Sequence, residues 1–294
     1  MKYSIITTCK GRLKNLRCSL PQFLKQKEAE VVVVDYDCPE NTEEYVKKEY
    51  PSVRVTSIKD QPKFNTSHAR NIGAQIARGR IFAFLDADVI VDDNFLQSIQ
   101  LPSDKMTYIT FGFRDEKSPD TLRGSCLIRR EDFFAVEGYD ELLSGYEGED
   151  LDIYMRLRNL GVKPFLVRTD KIACVLEQNI EERLRYRPSQ DIKLQFLRGQ
   201  LYQLAKEMVL KTQGETVIDL NTRKHILDQV CAQIGDLYAG RKEFNLTIAF
   251  PDKYRRRLLK DWEFATAITV RSRHRGPSLV DQAMNRVPGP ISSL

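Results

Sequence analysis

Two aspartates, one residue apart, follow an apolar run in the N-terminal third of the chain. The segment FLDADV places Asp86 and Asp88 between Phe84-Leu85 and the apolar residues 89–91. Side chains at positions i and i+2 of an extended segment lie on one face, and two like charges among apolar neighbours are costly without a cation. The pair therefore predicts a site for Mn²⁺ or Mg²⁺, which two carboxylates can share with the phosphate oxygens of a ligand. A pair of turn or helix-capping aspartates has the same pattern.

A second group of acids lies in the segment GYEGEDLD, residues 145–152. Glu149 and Asp150 follow Gly148 and begin a predicted helix that runs to about Leu160. A glycine-lined loop lets a substrate approach closely, and a carboxylate held ionised by a helix N-terminus can accept a proton from a hydroxyl nucleophile. Acids in a first turn also stabilise a helix by about 0.3–1 kcal/mol through its dipole. These residues alone leave both interpretations open.

A basic and polar group precedes the two aspartates. The segment SHARNIGA, residues 67–74, brings His68, Arg70 and Asn71 to the start of a predicted helix. An arginine and helix N–H groups beside a metal site suit a diphosphate. The alternative is that His68 caps the helix and Arg70 pairs with a surface acid. Other chemistries have less support, because the sequence has no G-x-S-x-G, P-loop or G-x-G-x-x-G segment.

Strands and helices are predicted to alternate over the first 100 residues. Apolar or β-branched runs at 3–9, 30–37, 53–58 and 80–89 alternate with helical patterns at 13–24, 42–49 and 67–78. This order predicts a doubly wound α/β sheet, in which ligands bind at the carboxyl ends of the strands. The acids at the carboxyl ends of the second and fourth strands are Asp35, Asp37, Asp86 and Asp88.

The pattern changes along the rest of the chain. Shorter strand candidates occupy 107–113 and 124–129, and amphipathic helices predominate from about residue 190. We therefore expect a catalytic domain over 1–188, with a donor half of about 1–100 and an acceptor half of about 101–188. A mainly helical region follows over 189–294. It could cover the acceptor groove, form a dimer contact or meet a membrane surface.

Composition is that of an ordinary globular protein. The 294 residues are 41% hydrophobic and 30% charged, and no apolar stretch reaches the roughly 18–20 residues of a membrane span. Six scattered cysteines and an N-terminal apolar run too short for a signal peptide favour a cytoplasmic protein with reduced thiols. The formal net charge is +5, with basic residues concentrated between Lys253 and Arg275. That stretch is either a solvated surface or a contact for an anionic partner, such as a membrane at its inner face or nucleic acid.

The order of these motifs resembles a known enzyme family. TTCKGR, VVVVDYD, HARNIGA, FLDADV, GYDE and GYEGEDLDIYMRL occur in the sequence typical of family 2 inverting glycosyltransferases with the GT-A fold. The last motif is similar to the acceptor-side motif of the β-1,4-galactosyltransferases and the chondroitin-polymerase-like enzymes. The resemblance covers roughly residues 3–185. It implies an enzyme that uses Mn²⁺ or Mg²⁺ to transfer a sugar from a nucleotide sugar, most simply a UDP-sugar, to a glycan hydroxyl.

The resemblance also implies a role for individual residues. On the donor side, Thr7 and Asp35 would contact the base and ribose, while Asp88 would bind the metal. The full donor set is Thr7, Arg12, Asp35, Asp37, Arg70, Asp86 and Asp88. On the acceptor side, Asp150 would be the general base. Glu149, Tyr146 and Gly148 would hold the acceptor.

The sequence departs from the family pattern at two positions. Tyr36 occupies the place of a second acid, so that the base contact falls to Asp35 or to Asp37. Gln178 stands where relatives often carry a metal-binding histidine, and a neutral amide is a poorer ligand than imidazole. The resemblance implies that Asp86 sits close to the ribose and reaches the cation through water, whereas Asp88 binds the metal directly.

Three alternative functions remain open at this stage. The basic C-terminal stretch would suit a glycosyltransferase whose acceptor is a modified nucleic-acid base. A sugar-nucleotide nucleotidyltransferase also has an α/β domain with metal-binding carboxylates, but TTCKGR contains only one glycine after the first strand. A non-catalytic nucleotide-sugar-binding protein would require both groups of acids to be structural.

Overall fold

The structure is a computed structural model that describes residues 1–99, 106–112, 122, 124–168, 173–176, 180–213, 216–238, 243–249 and 265–271. The chain forms two compact units. The first comprises the described residues of Met1–Gly145 and Glu149–Gln190. The second comprises Tyr146–Gly148 and the described residues that follow Asp191. The chain therefore enters the second unit for three residues before it returns to the first.

Four parallel strands form one half of the main sheet of the first unit. They are β1 (Tyr3–Cys9), β2 (Ala29–Tyr36), β3 (Arg54–Ile58) and β4 (Ile81–Phe84). The intervening helices are α1 (Leu13–Leu24), α2 (Thr42–Glu49) and α3 (Thr66–Ile76). This alternation confirms the predicted α/β class. It also brings the carboxyl ends of β1, β2 and β3 to one edge.

The remaining elements of the first unit complete a mixed sheet. They are β5 (Val89–Val91), α4 (Phe95–Ser98), β6 (Thr107–Gly112), β7 (Cys126–Arg129), α5 (Arg130–Ala135), α6 (Glu149–Asn159), β8 (Lys163–Arg168), β9 (Ala173–Val175) and α7 (Ile180–Leu184). The seven-stranded sheet has the order β3-β2-β1-β4-β7-β6-β8, in which β7 is antiparallel to both neighbours. Strands β5 and β9 form a separate antiparallel pair.

Apolar layers cover both faces of this sheet. Val31 and Val33 of β2 pack in one cluster with α1, whereas Val32 packs in another with Phe82 and Phe84 of β4. Alternate side chains of a strand point to opposite faces, so a continuous valine run is the pattern of a strand buried on both sides. The apolar run predicted as a strand at 30–37 therefore lies between two apolar layers.

The second unit contains both helices and strands. Helices α8 (Ile192–Gln213) and α9 (Leu220–Tyr238) are those that the amphipathic pattern predicts. The antiparallel pair β10 (Glu243–Ala249) and β11 (Ala265–Arg271) was not predicted, because each strand is a short isolated run in a region where helical patterns predominate. Most of the basic stretch from Lys253 to Arg275 lies outside the described residues. Within the described part of the chain, no helix combines the length and hydrophobicity needed to cross a bilayer.

Candidate active site

The two aspartates of FLDADV lie in a turn, which corrects the expectation of a continuous strand from 80 to 89. Strand β4 ends at Phe84, and the Val89 N–H donates to the Asp86 carbonyl oxygen at 3.0 Å. Because the segment is not extended there, the rule that residues i and i+2 share a face does not apply. Asp86 and Asp88 instead contact different arginines. The positive charge that the sequence required is therefore supplied, in this structure, by two guanidinium groups.

Arg70 lies between the donor-side and acceptor-side acids. Its Nη2 atom is 2.8 Å from Asp86 Oδ1, and its Nη1 atom is 3.9 Å from Glu149 Oε1. The guanidinium also stacks over the Tyr139 ring, 5.1 Å from the centroid. Arg70 is almost completely buried, and its Nη1 has no hydrogen-bond partner in the described part of the chain. A buried donor without an acceptor is costly, which is the condition expected of a group that a ligand completes.

Electrostatic interactions keep Asp86 ionised. Burial opposes ionisation, but Arg70, followed by Arg12 and Arg187, holds the pKa of the Asp86 carboxyl below its usual value. Three guanidinium groups therefore act on one carboxylate, and only Arg12 and Arg70 were predicted to belong to the site. Arg187 was missed because it follows α7, far along the sequence from the donor motifs.

The residues that could hold a metal fit a site completed by a donor diphosphate. Asp88 Oδ2 lies 2.8 Å from Arg12 Nη1, and the Asp88 side chain is partly buried. Among the described residues there is no group of three or more His, Cys, Asp or Glu side chains that could hold a metal ion. Mg²⁺ typically uses only one or two carboxylates together with substrate phosphates and water, so Asp88 could serve as a single protein ligand. Gln178 lies outside the described residues.

The two acids at the end of β2 have different environments. Asp35 is 1% exposed, and its two carboxylate oxygens accept the N–H groups of Cys38 and Glu43, both at 2.7 Å. Asp35 therefore organises the start of α2. Asp37 is partly exposed, and its Oδ2 accepts the Gln61 N–H at 3.0 Å. The sequence left either Asp35 or Asp37 as the candidate contact with the nucleotide base. Of the two, Asp37 is the one accessible to a ligand.

Tyr36, which occupies the position of a second acid in the family pattern, takes part in a network of hydrogen bonds within the fold. Its hydroxyl lies 3.0 Å from His68 Nδ1 and donates to Gln61 Oε1 at 3.3 Å. The side chain of Asn65 caps α3 by accepting the His68 N–H. The His68 ring therefore contacts Tyr36, and the expectation that His68 caps the helix is wrong, because Asn65 is the cap.

Lys10 is a buried cation that the sequence reasoning did not assign to the site. Its ammonium donates to the carbonyl oxygens of Tyr36, Asp37 and Gln61, at 3.2, 2.8 and 2.6 Å. Tyr36 ends β2, Asp37 follows it, Gln61 comes after β3, and Lys10 follows β1. One side chain therefore joins the ends of three strands. Thr7 lies nearby in β1, and its buried Oγ1 has no hydrogen-bond partner within the described residues. Like Arg70 Nη1, Thr7 Oγ1 is a polar atom that a ligand could satisfy.

The acceptor-side acids lie in the first turn of α6. Asp152 is buried and pairs with Arg156 at 2.8 Å, so it is structural. Asp150 is different, because burial and then the charge of Glu149 raise the pKa of its carboxyl to about 7. A carboxyl with this pKa is partly ionised near neutral pH and is suited to accept a proton from a hydroxyl group.

The other predicted acceptor residues belong to the second unit. The Tyr146 N–H donates to Gln195 Oε1 at 3.0 Å, and Gln203 Nε2 donates to the carbonyls of Glu147 and Gly148. Glu147 is buried and pairs with Arg198 of α8. Helix α8 therefore fixes the three residues that directly precede Glu149 in the chain.

The sequence of the first unit matches a family of known enzymes. Residues 4–147 match the sequence model of the family described as Glycosyl transferase family 2. The match indicates a glycosyltransferase. It includes β1–β7 and most of the donor residues described above, and it ends just before Glu149. No curated protein matches the chain.

Solved glycosyltransferase structures share this fold. The chain is similar to S. aureus TarS 1-349 in complex with UDP-GlcNAc, with 16% identity, a TM-score of 0.57 and coverage of 79% of this chain and 72% of TarS. It is also similar to the mannosyltransferase PcManGT from Pyrobaculum calidifontis in complex with GDP-Man and Mn²⁺, with 14% identity, a TM-score of 0.52 and coverage of 81% and 74%. At these identities the likeness concerns the fold. The GT-A fold implied by the sequence is therefore confirmed.

Proposed function

We propose that this protein is a metal-dependent, inverting glycosyltransferase that transfers a sugar from a UDP-sugar to a hydroxyl group of a glycan. The observation that carries the proposal is the link from Asp86 through Arg70 to Glu149, with Asp150 beside it and its pKa raised to about 7. This link brings a candidate donor site and a candidate base together. A structural role for both groups of acids would not require a carboxyl poised near neutral pH.

The proposed reaction is a single displacement at the anomeric carbon. Asp150 accepts the proton of the acceptor hydroxyl as the hydroxyl oxygen bonds to C1 of the sugar, and the bond from C1 to the nucleoside diphosphate breaks on the opposite face. Glu149 and the loop of Tyr146 and Gly148 hold the acceptor. One carboxylate base without a covalent intermediate inverts the configuration at C1.

The donor residues suit a nucleoside diphosphate. Asp37 is partly exposed and so accessible to the nucleotide base or ribose. Thr7 is buried, with an Oγ1 that lacks a hydrogen-bond partner within the described residues. Arg12 and Arg70 suit phosphate oxygens. The UDP-GlcNAc bound to TarS and the GDP-Man bound to PcManGT support a nucleotide-sugar donor. The motif GYEGEDLD, similar to that of the galactosyl and chondroitin-polymerase-like enzymes, supports a glycan as the acceptor.

Asp88 would be the protein ligand of a divalent cation bound with the donor. When bound there, Mg²⁺ or Mn²⁺ would offset the charge that develops on the leaving diphosphate. Arg12, Arg70 and Arg187 are already balanced by the carboxylates of Asp86, Asp88 and Glu149. A diphosphate therefore adds negative charge that these side chains alone do not offset. The Mn²⁺ in the PcManGT complex is consistent with this assignment.

Replacing Asp150 with Asn tests the proposal. We expect Asp150→Asn to bind the donor as the wild type does and to lose about 10²–10⁴-fold in transfer rate, because only the base is removed. The wild type is first incubated with a panel of nucleotide sugars, and the donor that is slowly hydrolysed is used for the comparison. Transfer by Asp150→Asn at the wild-type rate would exclude Asp150 as the base. A wild type that binds these donors without transfer or hydrolysis would favour a binding protein.

A further inference from the structure

The segment that follows α7 packs against both loops at the carboxyl ends of β1 and β3. The Phe64 N–H donates to the Tyr186 carbonyl oxygen at 2.7 Å. On the other side, the Tyr186 ring lies against Gly11, where a Cβ atom would be only 2.1 Å from Tyr186 Cε2. Lys10 Nζ lies 5.4 Å from the centroid of the same ring. Tyr186 thus joins the loop that carries Arg12 to the loop that precedes α3.

Arg187, the next residue, is directed to the face of α3 that carries Arg70. Its Nη1 donates to Thr66 Oγ1 at 2.8 Å, and its guanidinium lies 5.1 Å from the centroid of the Phe64 ring. Thr66 and Arg70 are four residues apart in α3, so their side chains lie one turn apart on one face. The contacts with Thr66 and Phe64 therefore fix Arg187 one helical turn from the arginine that pairs with Asp86.

We propose that Arg187 binds the diphosphate of the donor, as a third guanidinium beside Arg12 and Arg70. A guanidinium offers forked N–H donors that match phosphate oxygens, and a side chain already fixed in place loses little entropy on binding. The proposal deepens the proposed function and rests on the same donor site. A second observation indicates a ligand at this place: Arg70 Nη1 is buried and lacks a hydrogen-bond partner within the described residues.

A purely structural role is the competing explanation. Arg187 would then only hold the segment after α7 against α3, through Thr66 and Phe64. The two roles differ in which part of the nucleotide they affect. Loss of a phosphate contact weakens the binding of a nucleoside diphosphate but not that of its nucleoside. Displacement of the segment would disturb the contact of Tyr186 with Gly11 as well, and it would weaken the binding of both the nucleoside and the nucleoside diphosphate.

The experiment compares a nucleoside diphosphate with its nucleoside on three forms of the full chain. Calorimetric titration with Mn²⁺ present measures UDP, GDP, uridine and guanosine on the wild type, Arg187→Ala and Arg185→Ala. Arg185 is exposed in the same turn, so its replacement removes an equal charge as a matched control. For the diphosphate that binds more tightly, we expect Arg187→Ala to weaken affinity about 10- to 100-fold. Its nucleoside should bind within about twofold of wild type, and Arg185→Ala should change neither affinity.

The outcomes separate this inference from the proposed function. Unchanged diphosphate affinity in Arg187→Ala, or an equal loss for nucleoside and diphosphate, would overturn the role of Arg187. Arg187→Lys should retain part of the affinity, because it keeps the charge and loses the forked geometry. If the wild type binds the diphosphate but never transfers a sugar, only the proposed function is contradicted. If it binds no nucleoside diphosphate, both the proposed function and the role of Arg187 are contradicted.

Discussion

Single side chains determine whether the two groups of acids can work together. Arg70 is buried, contacts Asp86, lies 3.9 Å from Glu149 and stacks on the Tyr139 ring. Burial raises the pKa of Asp150 most, Glu149 raises it further, and Arg70 lowers it. The ionisation of Asp150 is therefore set by the same residues that connect it to the donor side.

The pH dependence of the reaction follows from this arrangement. The protonated form of Asp150 cannot accept a proton, so kcat/KM should rise with pH and level off above a midpoint near pH 7. Glu149→Gln removes a charge that raises the pKa of Asp150, so the midpoint should move to lower pH even though the rate falls. A midpoint near 4 in the wild type, or one that does not move in Glu149→Gln, would contradict the assignment. The measurement is initial rate against pH at low donor and acceptor concentrations.

The raised pKa also has a consequence for stability. Because the folded state opposes ionisation of Asp150, its carboxyl costs stability as pH rises from about 4 to about 7, and the cost is complete above that range. Asp150→Asn should therefore melt at a higher temperature than the wild type at pH 8. The difference should disappear toward pH 4.

Metal removal tests the assignment of Asp88. Chelation with EDTA should stop transfer, and added Mn²⁺ or Mg²⁺ should restore it, because the leaving diphosphate requires charge beyond that of the arginines. Asp88→Asn should raise the metal concentration that gives half-maximal activity. Asp35→Asn is a useful contrast, because Asp35 holds the N–H groups of Cys38 and Glu43 and should affect stability instead. Full activity in the chelator would remove the metal from the mechanism.

Residue types and spacing were enough to predict that most of these acids belong to the candidate site, but not which role each one has. Asp35 and Asp37 were indistinguishable in VVVVDYD, because their roles depend on which backbone N–H groups fold back onto each carboxylate. Lys10 and Arg187 were missed for a related reason. Their partners are 26 to 121 residues away in the sequence, and no local pattern records such a contact.

At the scale of secondary structure, local periodicity predicted the parallel half of the sheet well. Strands β1 to β4 and helices α1 to α3 follow from apolar runs and turn residues. The antiparallel insertion of β7 between β4 and β6 did not follow, because the pairing of β7 with β4, more than 40 residues away, depends on the tertiary fold. Likewise, the turn at Asp86 was hidden by the apolar residues on both sides of it.

Two glycines in the helices of the second unit should respond to alanine in opposite ways. In α8, a Cβ on Gly199 would lie 2.1 Å from the Glu147 carbonyl oxygen, whereas one on Gly235 in α9 would meet no atom within 4 Å. Gly235→Ala should raise the free energy of unfolding by about 0.5–1 kcal/mol through helix propensity. Gly199→Ala should lower it by about 1–3 kcal/mol, because the backbone of the 146–148 loop must move. Thermal and urea melts of both variants measure the difference, and equal effects would contradict the close approach of α8 to Glu147.

At the scale of the whole molecule, the chain passes through the second unit at residues 146–148 and then returns to the first unit. Residues 146–148 belong to the second unit, and the residues on both sides of them belong to the first. Their partners Gln195, Arg198 and Gln203 all come from α8. A single cut between the units therefore cannot leave the candidate acceptor loop intact, although all of the candidate donor residues, Arg187 included, lie before Gln190.

A chain truncated after Gln190 should separate the two halves of the reaction. It retains Thr7, Asp37, Arg70 and Asp88, so it should bind the donor nucleotide within about tenfold of the full chain. It loses the partners of Glu147, whose burial is tolerated only while its charge is paired, and transfer should fall below detection. The control is Gln203→Ala in the full chain, which removes the hydrogen bonds to the Glu147 and Gly148 carbonyls and should lower transfer while leaving donor affinity unchanged. Wild-type transfer by the truncated chain, or a loss of donor binding in Gln203→Ala, would show that α8 does not act through the acceptor loop.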